Sequence, residues 1–461
     1  MRELENQRAL VVGLGRSGLA AAEFLAARGA IVTANDARSA PALGPAAGRL
    51  ASLGVRVEPG GHPAALFEQQ DLIVVSPGVR WDLDPLAEAR RRGVEVIGEV
   101  ELAARYLRGG IIGITGSNGK TTTTALVGHL LASAGIPAQI GGNIGLPHPP
   151  AISMVETSTP AGWNVLELSS FQLESIRQFR AHIAVVLNVT PDHLDRHRTF
   201  EQYAEAKARL LATQRPEDFA VLNAEDPVCV SWSSRTNGVA VWFSRTQQLE
   251  VGTSVAGGWI VCRRQGTETP LADSAIPIRG AHNLENTLAA TTAAYLAGAA
   301  PAGIARGVAS FRAVEHRLEF VRAVAGVDYY NDSKATNVDA ARKALESFDG
   351  NLWVILGGQD KGSDYTPLGE LLRRKARGVF LIGAAAPLIA RALGEAVELV
   401  EAGALERAVA LAVLRARPGD TVLLAPACAS FDQFENYEHR GRVFKQLVET
   451  IFATEAQRTQ R

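Results

Sequence analysis

Gly110-Ile-Ile-Gly113-Ile-Thr-Gly116-Ser-Asn-Gly119-Lys120-Thr121, running on into Thr122-Thr-Thr-Ala-Leu-Val, decides the fold of this chain. It holds an apolar strand, a glycine-rich turn and the opening of a helix that continues to about Ala134, in the order a nucleotide phosphate requires. Glycines let backbone N–H groups approach phosphate oxygens, and the helix N-terminus adds partial positive charge. Lys120 supplies a full charge, and the Thr121 hydroxyl is a ligand for Mg²⁺. The strict spacing would put glycine five residues before Gly119. That position is Ile114, with glycines at 113 and 116 instead. The stretch therefore predicts a variant phosphate loop for a nucleoside triphosphate, not a surface turn with a stray lysine.

Outward from this loop, apolar strand-like runs alternate with amphipathic helical stretches, which predicts α/β architecture with mainly parallel sheets. At 461 residues the chain is too long for one core, and its length suggests about three domains. A formal net charge of −1 removes any compositional argument for nucleic acid or a membrane surface. The three cysteines, Cys229, Cys262 and Cys428, are far apart and odd in number, which fits a reducing compartment without disulfides. No apolar run is long enough to span a bilayer. The first strand follows the N-terminus so closely that no signal peptide is expected. These absences predict a cytoplasmic chain with no nucleic-acid partner and no membrane insertion; a monomer is expected.

The first block has strands at 9–12, 31–34 and 72–75, then a helix extending to about Tyr106. The second has strands at 164–168 and 182–189, with a Gly/Ser/Thr-rich segment, 239–277, as an antiparallel edge. The third has strands at 327–330, 352–356, 379–382 and 421–424. The tail after Thr454 is polar and reads as frayed. The block boundaries predict domains at 1–108, 109–312 and 313–461.

Ligands in open parallel sheets gather beyond the carboxyl ends of strands. Gly13-x-Gly15-x-x-Gly18 follows the first strand, with Asp36 closing the second, which is dinucleotide-binding spacing. Alone it is compatible with NAD, with any diphosphate, or with tight helix–sheet packing. Glu167, at the end of its strand, is placed to hold Mg²⁺ across from the phosphate loop or to cap the next helix. Asn188-Val-Thr-Pro-Asp192-His193-Leu-Asp195 gathers an imidazole and carboxylates after a buried strand; His193 could ligate a cation or orient a substrate. Thr199-Phe-Glu-Gln202 reads as a capping box. In the helix it starts, Lys207 reads, on its own, as one residue of a solvated face. In the third block, the turns around Asn331–Asn337, 357–361 and 425–433 would together line an anion-binding crevice carrying Lys334 and Lys361. No base adjoins Cys428 in sequence, so it reads as a structural thiol.

Taken together these motifs resemble the ATP-dependent Mur ligases of peptidoglycan precursor synthesis, over essentially the whole chain. The phosphate loop with its shifted glycine, Gly141-Gly-Asn143-Ile-Gly, Glu167-Leu-Ser-Ser-Phe-Gln, Asn188-x-x-x-Asp192-His193-x-Asp195 and Glu315-His316-Arg317 all match. Asn331-Asp332-Ser-Lys334-Ala-Thr336-Asn337 and Pro426-Ala-Cys-Ala-Ser430-Phe-Asp-Gln-Phe resemble the member that adds D-glutamate. The resemblance implies a Rossmann-like first domain, a central P-loop domain and a Rossmann-like third domain. It implies ATP and two Mg²⁺ ions, and addition of D-glutamate to UDP-N-acetylmuramoyl-L-alanine through an acyl phosphate.

The resemblance also assigns residues. Gly15, Arg16, Ser17, Asp36, Arg38, Ser76, Gly78 and Asn143 would bind the UDP substrate. Gly116, Ser117, Asn118, Gly119, Lys120, Thr121 and Thr122, with Asn286, Arg317 and Asp332, would contact ATP. Thr121, Glu167, His193 and a carbamoylated Lys207 would serve the metals, and Lys120, His193 and Lys207 the catalysis. Lys334, Thr336, Lys361, Ser430 and Tyr437, where relatives commonly carry Phe, would surround D-glutamate. The carbamoylated Lys207 replaces the solvated-face reading. The competing functions are a ligase for another amino acid, a folylpolyglutamate synthase, an NAD-dependent oxidoreductase and a non-catalytic nucleotide binder.

Overall fold

The structure is a computed structural model describing residues 4–145, 147–312 and 314–459. Among the described residues the strands form three sheets. The first contains β1 (Arg8–Val12), β2 (Ile31–Asp36), β3 (Arg56–Pro59), β4 (Leu72–Val75) and β5 (Glu95–Gly98), all parallel in the order β3-β2-β1-β4-β5. Its central strands are apolar throughout because helices cover both faces. Ala9, Val11 and Val74 enter one core, and Leu10, Val12, Ile73 and Val75 the other. The stretch expected to be helical up to Tyr106 is instead a helix (Asp84–Arg91), the short strand β5 and a second helix (Glu99–Ala104). Gly93, at positive φ, breaks the helix and frees Val96 and Ile97 for the sheet.

The second sheet contains β6 (Gly110–Thr115), β7 (Ala138–Gly142), β8 (Trp163–Glu167), β9 (Ile183–Val186), β10 (Phe219–Asn223), β11 (Val239–Ser244), β12 (Gly252–Ala256), β13 (Trp259–Arg264) and β14 (Thr267–Asp273). Their order is β14-β13-β12-β11-β10-β9-β6-β8-β7. The segment expected to be an antiparallel edge divides: β11 and β12 continue the parallel sheet, and antiparallel pairing begins between β12 and β13. The phosphate-loop strand β6 lies between β8 and β9, so the turn after it meets the ends of both neighbours.

The third sheet contains β15 (Glu319–Val324), β16 (Val327–Asn331), β17 (Leu352–Gly357), β18 (Ala376–Ile382), β19 (Leu399–Gly403) and β20 (Thr421–Leu424), ordered β15-β16-β20-β17-β18-β19. All pairs are parallel except the β15–β16 hairpin. The tail expected to fray continues as helix (Tyr437–Thr459), whose Phe444 and Val448 are buried against this sheet.

The chain divides into two compact units. One runs to Ala275 and resumes over Glu285–Ser310; it holds the first two sheets. The other takes Ile276–Leu284 and everything from Phe311 on, and holds the third sheet. Within the latter, the Arg279 guanidinium lies over the rings of Phe348 (5.0 Å) and Tyr330 (5.6 Å). His282 is pushed down to about 4 by burial and by the charges of Lys343 and Arg317, against the pull of Asp339.

Candidate active site

The carboxyl ends of β1, β2 and β4 open onto a cleft of about 670 Å³ that brings together all eight residues expected to hold the UDP substrate: Gly15, Arg16, Ser17, Asp36, Arg38, Ser76, Gly78 and Asn143. The turn after β1 is glycine-rich for a steric reason. A Cβ on Gly18 would stand 1.8 Å from the carbonyl oxygen of Gly13, so only glycine lets the helix Arg16–Ala27 approach the strand. Asp36 ties this turn from within. Its carboxylate accepts from the Leu14 N–H (2.6 Å) and from the backbone, Nε and Nη2 of Arg38 (2.8, 3.0 and 3.0 Å). Burial alone would raise the Asp36 pKa, but the Arg38 and Leu14 hydrogen bonds hold it at about 2. His62 also lines the cleft, its Nδ1 2.6 Å from the Oδ1 of buried Asn35. No sequence motif marked His62; it reaches the cleft only because β2 and β3 are neighbours.

The phosphate turn is fastened to the turn after β9. Asn118 N–H donates to Asn188 Oδ1 (2.9 Å), and Asn188 Nδ2 donates back to the Asn118 carbonyl (3.1 Å). Ser117 Oγ donates to the Thr190 carbonyl, accepts from its N–H, and lies 2.9 Å from the Tyr203 hydroxyl. Gly119 sits at φ +87, and a Cβ there would come within 2.2 Å of Asn286 Oδ1, so the Asn286 amide lies directly over the turn. The helix Lys120–Ser133 then begins, burying Thr121 and Thr122 in its first turn.

Two lysine side-chain nitrogens converge on this turn. Lys120 Nζ donates to the carbonyls of Gly116 (2.8 Å) and Ser117 (2.9 Å). Lys207 Nζ donates to the same Gly116 carbonyl (2.9 Å) and to Thr115 Oγ1 (3.4 Å). Lys207 is 1% exposed, which overturns its reading as part of a solvated face. Burial and the neighbouring Lys120 charge push its pKa well below the usual lysine range, with Asp192 and Glu167 opposing. Tyr203, one turn earlier in the helix Phe200–Ala208, places its ring 4.7 Å from that nitrogen. The i, i+4 spacing of Tyr203 and Lys207 was the available signal for this residue. Thr199 caps the same helix, accepting from the Gln202 N–H.

Glu167 does not cap the helix after β8; Ser169 and Gln172 do, through a reciprocal capping box. Its buried carboxylate turns instead to the phosphate loop, accepting from Thr121 Oγ1 (2.7 Å) and Asn143 Nδ2 (3.3 Å). Thr121 and Glu167 thus present hard oxygen atoms side by side, the donor type Mg²⁺ prefers. His193, in left-handed conformation, opens the helix Leu194–His197 and packs its ring against Phe171 at 5.0 Å. Its Nε2 is 3.7 Å from Asp192. The side chain of Asp195 lies outside what the structure describes.

In the other unit, the three turns expected to share a crevice are tied together. The fully buried Arg440 donates to Ser333 Oγ (3.0 Å) and the carbonyls of Ser333 (2.8 Å), Cys428 (3.2 Å) and Ala429 (3.3 Å). Gln359 and Ala429 pair as an isolated bridge. Lys334 Nζ sits 3.6 Å from the Tyr437 ring centroid, Ser430 is buried, Thr336 half-buried and Lys361 exposed. Asp332 is buried at the end of β16, where loss of water pushes it up to about 7 despite the Leu318 N–H and the Arg317 charge. Cys428 is buried, with a thiol raised to about 11 by burial, which suits a structural role.

Comparison with known proteins agrees along the chain. Residues 7–98 match the Mur ligase MurD-like N-terminal domain, 114–294 the Mur ligase middle domain and 316–428 the Mur ligase glutamate ligase domain. A UDP-N-acetylmuramoylalanine--D-glutamate ligase of Solibacter usitatus is 58% identical over 446 residues, covering 97% of this chain and 98% of that protein. The protein of the same name from Acidobacterium capsulatum is 54% identical, covering 97% of both chains. UDP-N-acetylmuramate-alanine ligase MurC from Thermotoga maritima shares the fold, with TM-score 0.60 at 19% identity over 96% of this chain and all of that one. With three successive domain matches and relatives more than half identical along nearly its whole length, the chain belongs to the Mur ligase family.

Proposed function

We propose that the chain joins D-glutamate to UDP-N-acetylmuramoyl-L-alanine through an acyl phosphate. It is an ATP-dependent amide-bond-forming ligase of peptidoglycan synthesis, as its full-length relatives are. In the first step the L-alanyl carboxylate oxygen bonds to the γ-phosphorus of ATP while the bond to the β,γ-bridging oxygen breaks and ADP leaves. In the second, the D-glutamate amine attacks the activated carbonyl, loses a proton and expels phosphate.

The observation that carries this reading is Lys120, held on the Gly116 and Ser117 carbonyls of the phosphate turn beside the Thr121–Glu167 pair. Carboxylate and γ-phosphate are both anions, and cations have to bring them together before any bond can form. The turn from Gly116 to Thr122 cradles the phosphates and Asn286 lies over it; Arg317 and Asp332 are assigned to the nucleotide as well. Thr121 and Glu167 would hold one Mg²⁺, and His193 with a carbamoylated Lys207 would support a second. Bound magnesium screens the two anions from each other. The cleft after β1, β2 and β4 holds the UDP moiety, and Lys334, Thr336, Lys361, Ser430 and Tyr437 receive D-glutamate. Three domains, 1–108, 109–312 and 313–461, divide this work, one to each sheet and family match, except that Ile276–Leu284 packs with the third sheet's unit; residue 313 itself lies outside the described residues.

Phosphate release in the presence of ATP, Mg²⁺ and UDP-N-acetylmuramoyl-L-alanine tests the reading. It should depend on D-glutamate and fall to background with L-glutamate or other amino acids, and Lys120→Ala should abolish it while sparing UDP-substrate binding. Equal turnover with another amino acid would give the chain a different place in the family.

A further inference from the structure

The Lys361 turn is held by a short relay that runs from the half-buried Asp360 to the buried Tyr365 and Cys428. The Asp360 carboxylate brackets Lys361, accepting from the N–H groups of Gly362 (2.9 Å) and Ser363 (3.2 Å). Its Oδ1 also accepts from the Tyr365 hydroxyl (2.6 Å). Tyr365 is only 3% exposed, and its oxygen lies 3.1 Å from Cys428 Sγ. A phenol has one proton, and here it goes to Asp360, so the thiol must donate to the phenol oxygen. The order is therefore Cys428 S–H to Tyr365 O–H to Asp360 carboxylate. It runs from the Cys428–Ser430 turn to the Lys361 turn.

We infer that Tyr365 and Asp360 are positioning residues that fix the Lys361 turn relative to the Ser430 turn for amino-acid binding. This rests on the reading of Lys361 and Ser430 as D-glutamate ligands. Lys361 is exposed on a turn containing Gly362 at φ +75, a backbone with more conformations open to it than one without glycine. A charge-assisted hydrogen bond from a buried phenol removes that freedom before the amino acid arrives, and preorganisation of this kind appears as affinity. Neither residue touches the reacting atoms, so their loss should weaken capture of D-glutamate and leave the chemical step intact.

The test is steady-state kinetics of the full-length enzyme with each of its three substrates varied in turn. Tyr365→Phe keeps the buried ring and removes only the hydroxyl. It should raise the KM for D-glutamate about fivefold, the size of one net hydrogen bond, while kcat and the other two KM values hold. Asp360→Ala should do at least as much, Asp360→Asn should recover most of the loss, and the double variant Asp360→Ala/Tyr365→Phe should fall short of additivity. An unchanged D-glutamate KM in Tyr365→Phe, or a parallel rise in all three KM values, overturns the positioning role. Lys361→Ala is measured alongside. If it raises the D-glutamate KM while Tyr365→Phe is silent, the relay alone is wrong. If it leaves that KM unchanged, the assignment of Lys361 falls, and the relay with it.

Discussion

Lys207 differs from Lys120 in how each could be recognised. Lys120 is legible because its neighbours in sequence make its environment: strand, glycines and helix N-terminus lie within ten residues of it. Lys207 has no such local context. Its burial comes from the packing of the helix Phe200–Ala208 beneath a loop some ninety positions earlier, at Thr115 and Gly116. Without the family resemblance, periodicity could only place it on a helix. Deprived of water and next to Lys120, this amine is driven toward its neutral form, the one able to attack CO₂. The nitrogen bonds to the CO₂ carbon, gives up a proton, and the product is an anionic carbamate. Lys207→Ala should lower turnover by about 10²-fold or more, as loss of a key electrostatic group does. Millimolar acetate or formate should restore part of it in the phosphate-release assay. Full activity without added carboxylate would exclude the carbamate.

The elements legible in the sequence are those whose residues are all of one kind. β4 and β17 are buried end to end, as is β1 from Ala9 on, and these stretches read as continuous apolar runs. Edge strands do not announce themselves. β3 is Arg-Val-Glu-Pro, half solvated, and β15 and β19 mix charges with apolar residues, so only pairing with a neighbour defines them. The phosphate turn shows the same contrast inside one element. Its glycines are visible in sequence, but the reason for Gly119 is the Asn286 amide above it, contributed by the distant helix Ala281–Leu296. Gly119→Ala meets a left-handed backbone and that amide together. ATP affinity should fall about tenfold or more, since strain of this kind costs about 1–3 kcal/mol. Binding of the UDP substrate should be unaffected, and titration of the two ligands on the same preparation checks both halves of the prediction.

At the scale of the whole molecule, two compact units with their own cores should melt as two events. Differential scanning calorimetry of the unliganded protein should resolve two transitions. UDP-N-acetylmuramoyl-L-alanine should raise the one belonging to the unit that carries the 670 Å³ cleft, by mass action on its folded form. A single transition that moves as a whole with this ligand would show that the units unfold together.

The placement of Ile276–Leu284 in the second unit bears on how the protein is made. Arg279 and His282 leave the ribosome before the partners that receive them, since Tyr330, Asp339, Lys343 and Phe348 are translated later. The first unit, moreover, lacks Glu285–Ser310 until that stretch follows. During synthesis the nascent chain therefore carries a basic segment whose aromatic seat does not yet exist, spliced into a unit that is itself unfinished. Every residue of the first unit has been made once Ser310 is added, so that unit can fold while Ile276–Leu284 still waits for the rest of the second. The two are interleaved, and the segment between them is the last piece of early sequence to find its place.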